Sequence, residues 1–180
     1  MRPSAIAEDP LPAEDPIAYV SRLAREKAQV VFNQFAAEPA DRIAPANAGN
    51  EPLAVLGADT TVTLDGQIVG KPEDEADAAR ILRMLSGRSH RVITGVALVT
   101  RETVDVAAEV TAVRFLTLSD EEIAAYIATG EPMDKAGAYG IQGRAAKWIP
   151  RVVGCYFNVM GLPLALVACM LEGRGITITK

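Results

Sequence analysis

The run LAVLGADTTVTLDGQIVGKP, Leu53 to Pro72, decides how this chain folds. It opens with an apolar stretch, Leu53 to Ala58, of the length of a buried strand. It continues through Asp59-Thr60-Thr61-Val62-Thr63-Leu64, reaches Asp65-Gly66, and returns as Gln67-Ile68-Val69-Gly70-Lys71 before Pro72 stops it. Asp-Gly between two β-rich runs specifies a two-residue type I′ reversal. That reversal sets the register: Leu64 faces Gln67, Val62 faces Val69 and Thr60 faces Lys71. Lys71 is therefore expected beside the Asp59-Thr60 step, where an ammonium favours the ionised form of Asp59.

Upstream, Asp15-Pro16 marks a helix start, with Asp as N-cap and Pro at the first helical position. Ile17, Val20, Leu23, Ala24, Ala28 and Val31 then recur at 3–4 spacing as an apolar stripe, and Arg22, Arg25, Glu26 and Lys27 fill other positions. Ala36 to Pro52 has no apolar period and reads as a solvent loop. Downstream, Asp74 caps a helix carrying Ala78, Ile81, Leu82 and Leu85 on one face, ending at Gly87. Strands are expected over His90–Thr100 and Thr103–Phe115. Ser119 and Glu122 form a capping box for a helix through Thr129, closed by Gly130. A glycine-punctuated loop, Asp134 to Gly143, precedes a strand near Lys147–Val153, a helix from Pro163 and a short strand over Ile176–Ile178. Strands alternate with helices while hairpins intervene, which predicts one α/β domain over residues 1–180 with a central mixed, twisted sheet flanked by helices.

Composition excludes several function classes. With 49% hydrophobic and 23% charged residues the chain is globular, and 180 residues fit one domain with its own core. Eighteen basic against 23 acidic residues give a net charge of −5, so nucleic acid is not an expected partner, and a phosphorylated ligand needs a local cluster of Lys and Arg. His90 is the only histidine, which excludes multi-histidine metal sites, and it reads as a surface or capping residue. Cys155 and Cys169 read as buried thiols of a reducing compartment. The N-terminus is acidic and proline-rich, unlike a signal peptide. Val152 to Met170 carries no charge, but Pro163 interrupts it, so a buried strand and a core helix are expected in place of a membrane span. The chain is expected to be cytoplasmic.

Two groups of residues can carry chemistry. Asp59 follows an apolar strand, where a carboxylate needs a partner or a task, and ligands gather beyond the ends of central strands. An Asp–Lys pair at a strand end also fits a purely structural role. Asp134-Lys135 with Gly137, Gly140, Gln142 and Gly143 gives a backbone that a ligand can approach closely, and the Gln142 amide can read the edge of a base. A connecting loop needing positive φ angles uses the same residues.

The strings YVSRLAREKA, VLGADTTV, DGQIVGKPEDEADAARILRMLSGRSHRVITGVAL, DKAGAYGIQG and NVMGLPL, in that order, resemble the Maf family of nucleotide pyrophosphatases over Glu8 to Leu171. The resemblance implies a mixed α/β fold with a deep cleft, broadly like that of the inosine triphosphate hydrolases, and frequent homodimers. It also implies hydrolysis of nucleoside triphosphates to monophosphate and pyrophosphate with a divalent metal, Mg²⁺ or Mn²⁺. Carried over by position, Asp59 is the catalytic base, and Lys27 and Lys71 are functional lysines; in the mechanism the resemblance implies, Lys135 is a further cation for the phosphates. Glu8, with Asp59, is the candidate to hold metal or water. Thr60 and Gln142 match the branch acting on dTTP and UTP. The family opens with an S-x-S-P-R-R segment that grips phosphate, which this sequence lacks ahead of Glu8. Two expectations follow: a start codon assigned too far downstream, or a shortened form that binds nucleotide without cleaving it, as a regulatory or division-linked protein.

Overall fold

The Asp65-Gly66 reversal forms as the sequence dictates, with both residues at positive φ (53° and 81°). It joins β1 (Val55–Leu64) to β2 (Gln67–Val69) in the expected register, Leu64 opposite Gln67 and Val62 opposite Val69. The computed structural model describes residues 6–37 and 53–177. The Thr60–Lys71 pairing does not form, because β2 ends at Val69. Among the described residues, the outer edge of β1 is therefore unpaired from Val55 to Thr61.

The remaining elements are α1 (Pro16–Ala37), α2 (Glu75–Leu85), β3 (Ser89–Val99), β4 (Val104–Arg114), α3 (Asp120–Ile127), β5 (Arg151–Val153), α4 (Tyr156–Val159) and α5 (Leu164–Glu172). Single 3₁₀ turns cover Ala136–Ala138 and Arg144–Trp148. The sheet order is β2-β1-β3-β4-β5, and every pairing among the described residues is antiparallel. The expected mixed sheet narrows accordingly: β1, β3 and β4 are long antiparallel neighbours, and no helical crossover returns a strand parallel to its predecessor. The capping residues act as read. Asp15 Oδ1 accepts from the Ile17 and Ala18 N–H groups, Asp74 Oδ1 accepts from the Asp77 N–H, and Ser119 and Glu122 exchange a capping box.

Strand alternation sorts side chains onto two faces. Val62, Leu64, Val92 and Val113 meet Ile81, Leu82 and Leu85 of α2 and Ile123 of α3 in the larger core. On the opposite face, Ile93, Ala97 and Val99 meet Val20, Leu23, Ala24, Ala28 and Phe32 of α1. Close approach is possible because Gly57 and Gly95 present no side chain to the helix. A Cβ on Gly57 would lie 2.4 Å from the Ala24 carbonyl oxygen, and one on Gly95 would lie 2.4 Å from that of Val20. The α1 backbone thus rests directly on β1 and β3.

Several expectations need correction. His90 is not at the surface. It is 2% exposed, its Nε2 lies 2.7 Å from the Tyr139 hydroxyl, and its ring meets Phe115 edge-on at 5.0 Å. Period-two alternation places it on the same face as Val92, which is why it is interior. Cys155 is half-buried and Cys169 exposed, both as free thiols, in place of two buried ones. The helix from Pro163 forms, but only Val167 of it is buried, and Val153 of β5 is exposed, so this segment lies at the periphery. No described helix is long and apolar enough to cross a membrane. No strand forms over Ile176 and Thr177, while Ile178 and the Glu38–Pro52 portion of the expected loop lie outside the described residues.

Burial pushes the His90 imidazole down from 6.5 to about 4. Above pH 6.5 the ring is neutral in both folded and unfolded chains, and its full contribution is present. As pH falls toward 4, the unfolded chain binds a proton that the folded one refuses, so stability is lost. Wild type is expected to lose about 2 kcal/mol at pH 5 from this source, and His90→Gln is expected to abolish that loss. Urea unfolding of both proteins at pH 7 and pH 5 checks it; equal losses in the two would remove His90 as the cause.

Candidate active site

The unpaired edge of β1 opens onto a cleft of about 1080 Å³. The N-terminal stretch before α1, the β1–β2 hairpin with the following Gly70-Lys71 turn, and the Glu131–Gly143 loop close around it, with further walls from α1, α2 and the Val159–Gly161 stretch. The Gly70-Lys71 turn and the loop are tied together by the Gly137 N–H, which donates to the Gly70 carbonyl at 2.9 Å. Gly137 has φ 72° and a Cβ there would fall 2.7 Å from Val62, so both backbone and space demand glycine.

Asp59 sits on the α1 face of β1, opposite Gly95. Its carboxylate is 11% exposed, and its partner is Lys27 of α1, whose Nζ donates to Asp59 Oδ1 at 2.5 Å. The same Nζ lies 2.6 Å from Glu8 Oε1. One ammonium thus serves two carboxylates. Lys27 occupies the margin of the buried α1 stripe, beside Leu23 and Ala28, which aims it into the cleft and not into bulk solvent.

The electrostatics divide the two acids. The hydrogen bond from Lys27 holds Glu8 below the usual carboxylate range. Burial raises Asp59 above its ordinary value, against the opposing effect of Lys27. Burial also works against the Lys27 charge, yet its hydrogen bonds to Asp59 and Glu8 leave its pKa raised. An exposed low-pKa acid beside a buried high-pKa acid is an arrangement that gives two carboxylates different tasks. Burial outweighs the cations and leaves the net shift upward, although they do favour the ionised form of Asp59, as expected, with Lys27 contributing more than Lys71.

Lys71 lines the cleft and adds positive potential at both Asp59 and Glu8, but makes no ion pair among the described residues. Lys135 is held within its own loop, with Nζ 2.6 Å from Asp134 Oδ1 and 3.2 Å from the Glu131 carbonyl. Gln142 is an exposed side chain at the cleft. Thr60, on the face opposite Asp59, shares a 2.8 Å hydrogen bond with Thr94. The structure therefore brings all seven expected site residues, Glu8, Lys27, Asp59, Thr60, Lys71, Lys135 and Gln142, to one cleft.

Tyr19 and Arg22 escaped the sequence reading. The Tyr19 hydroxyl donates to the Glu8 carbonyl at 2.7 Å. Arg22 grips Glu14 through two bonds of 2.7 and 2.8 Å and donates to the Asp9 carbonyl at 3.2 Å. Together they strap the N-terminal stretch along α1 and hold Glu8 over Lys27. Spacing offered one signal: Tyr19 and Arg22 lie three apart on a helix whose buried stripe explains only Tyr19.

A family model described as "Maf: Maf-like protein" matches residues 1–174. The chain belongs to the Maf family. The Maf chain is similar to a "dTTP/UTP pyrophosphatase" of Geobacter sulfurreducens, 51% identical over 166 residues, covering 91% of this chain and 79% of that protein. It is similar to the protein of the same name from Koribacter versatilis, 47% identical over 176 residues, covering 98% of this chain and 83% of the relative. A third, from Aromatoleum aromaticum, is 49% identical over 170 residues, covering 94% and 78%. As a Maf protein, the chain has a single α/β domain built on an antiparallel sheet with helices on both faces, as the resemblance implied apart from the strand directions.

Proposed function

We propose that this Maf protein hydrolyses dTTP and UTP to the nucleoside monophosphate and pyrophosphate. The observation that carries the reading is the Glu8–Lys27–Asp59 cluster, set in a cleft that also holds Lys71, Lys135 and Gln142. The names of its relatives point to the same substrates.

Asp59 is the general base. A water oriented by its carboxylate attacks the α-phosphorus; the new P–O bond forms as the bond to the bridging oxygen of the β-phosphate breaks, and the water's proton passes to Asp59. A carboxyl raised above its ordinary value is a stronger base than a free aspartate, which suits this task. Lys71 and Lys135 stabilise charge on the phosphate chain, and Lys27 holds both acids in place. Gln142 and Thr60 face the base.

Glu8 and Asp59 also fit a divalent cation. Each keeps a second carboxylate oxygen without a hydrogen-bond partner among the described residues, and hard oxygen donors suit Mg²⁺ or Mn²⁺. No group of three or more His, Cys, Asp or Glu that could hold a metal occurs among the described residues, so phosphate oxygens of the substrate complete the set in this reading. Such a cation, when bound, neutralises phosphate charge and makes water more acidic. The free thiols Cys155 and Cys169 support a reducing, cytoplasmic setting, and exposed Val153, Tyr156, Phe157 and Leu164 support pairing into homodimers.

Pyrophosphate release from a nucleotide panel, with Mg²⁺ and after its removal by chelation, tests the reading. Metal-dependent release favouring dTTP and UTP is expected; thermal stabilisation by nucleotides without release would make the protein a binder. Gln142→Glu checks base reading. Gln142 can accept from N3–H of thymine or uracil and donate to a neighbouring carbonyl, and Glu loses the donor. A fall of about tenfold to a hundredfold in kcat/KM for dTTP and UTP is expected, with little change in melting temperature. Unchanged rates across all nucleotides would remove Gln142 from that role.

A further inference from the structure

Resting on that reading, we infer that Glu131, braced by Tyr126, is a positioning residue that sets base specificity by anchoring both ends of the Gly140–Gly143 segment around Gln142. The Tyr126 hydroxyl donates to Glu131 Oε1 at 2.9 Å and accepts from the Gly140 N–H at 3.3 Å. At the other end, the Arg144 N–H lies 3.1 Å from Glu131 Oε1 and 3.2 Å from Oε2. One hydrogen-bonded chain therefore runs from residue 140, through Tyr126 and Glu131, to residue 144, and Gln142 stands between the two fixed points.

The anchor is itself held. Tyr126 is 3% exposed and its ring meets Trp148 edge-on at 5.0 Å. Gly143 is part of the device: a Cβ there would lie 1.6 Å from Glu131 Oε1, so only glycine leaves the carboxylate room to reach the Arg144 N–H. Glu131 lines the cleft, yet both its oxygens are taken by donors of the protein, and a carboxylate repels phosphate. Its work is done on the loop and not on the substrate. A glutamine side chain that reads a base must stand within a fraction of an ångström of its productive position, and a loop pinned at both ends provides that.

The experiment compares wild type, Glu131→Ala, Glu131→Gln and Gly143→Ala. It measures kcat and KM for dTTP, and inhibition by inorganic tripolyphosphate, which offers phosphates and no base. In Glu131→Ala the KM for dTTP is expected to rise about tenfold while kcat changes less than about threefold, and the tripolyphosphate inhibition constant stays at its wild-type value. Gly143→Ala, which keeps the carboxylate but displaces it, is expected to show the same split. Glu131→Gln keeps an acceptor for both donors and is expected to recover most of the wild-type KM. A KM for dTTP that stays within about twofold of wild type in both alanine variants overturns the inference. So does a tripolyphosphate constant that rises in step with KM, since Glu131 would then support the whole cleft. If wild type releases no pyrophosphate from dTTP, the enzymatic reading fails and the inference falls with it; an active wild type with unaffected variants sinks the inference alone.

Discussion

Asp59→Asn is expected to lower kcat for dTTP by about a thousandfold, in the range that loss of a general base produces. The change removes the proton acceptor and keeps the shape. The amide oxygen can still accept the Lys27 bond, and Lys27 retains Glu8 as a counter-ion at 2.6 Å, so no buried charge is left alone. The fold is therefore expected to survive, with an unfolding free energy within about 2 kcal/mol of wild type. Pyrophosphate release together with urea unfolding checks both halves. Near-normal turnover in a folded variant would place the base elsewhere in the cleft.

The second large effect belongs to Lys27. Replacing it with methionine preserves the aliphatic stem along α1 but leaves Glu8 and Asp59 facing each other without the ammonium that pairs with both. Asp59 is already raised by burial, and the Glu8 charge raises it further once the ammonium is gone. Loss of Lys27 is expected to lower kcat/KM for dTTP at pH 7 by about a hundredfold. The direction of the pH effect follows from the same geometry. The base works only when ionised, so activity in wild type falls as pH drops through the Asp59 pKa, and in Lys27→Met that acidic limb moves to higher pH. A pH–rate profile of both proteins distinguishes this from a structural loss, which would scale the curve without moving it. An unmoved limb would show that Lys27 does not govern Asp59.

The local grammar of the chain was largely readable. Asp-Gly set a hairpin, Asp15, Asp74 and Ser119 set three helix starts, and the stripe on α1 foretold its buried face, because each depends on neighbours in sequence. That face holds at Val20, Leu23, Ala24 and Ala28 though not at Ile17, which is exposed. The cation beside Asp59 was not readable in the same way. Counting along the hairpin pointed to Lys71, but β2 stops at Val69 and the contact comes from Lys27, 32 residues away, through packing of helix on sheet. Resemblance to a family had marked Lys27 as functional without saying what it touches. His90 was legible and misread, since its parity with Val92 already turned it inward. Glu131 offered no periodic signal; its importance lies in a backbone N–H thirteen residues on, which only the folded loop brings to it.

Gly57 and Gly95 give the active cluster an unusual mechanical footing. The ammonium rides on a helix and the carboxylate on a strand, so the 2.5 Å contact between them depends on how closely the two layers are seated. A single added methyl group in that seam acts as a shim under the helix and shifts the base from which Lys27 reaches Asp59. Turnover should therefore register a swelling of the interlayer contact well before a melting curve does, which makes catalytic rate the finer gauge of how this helix is seated.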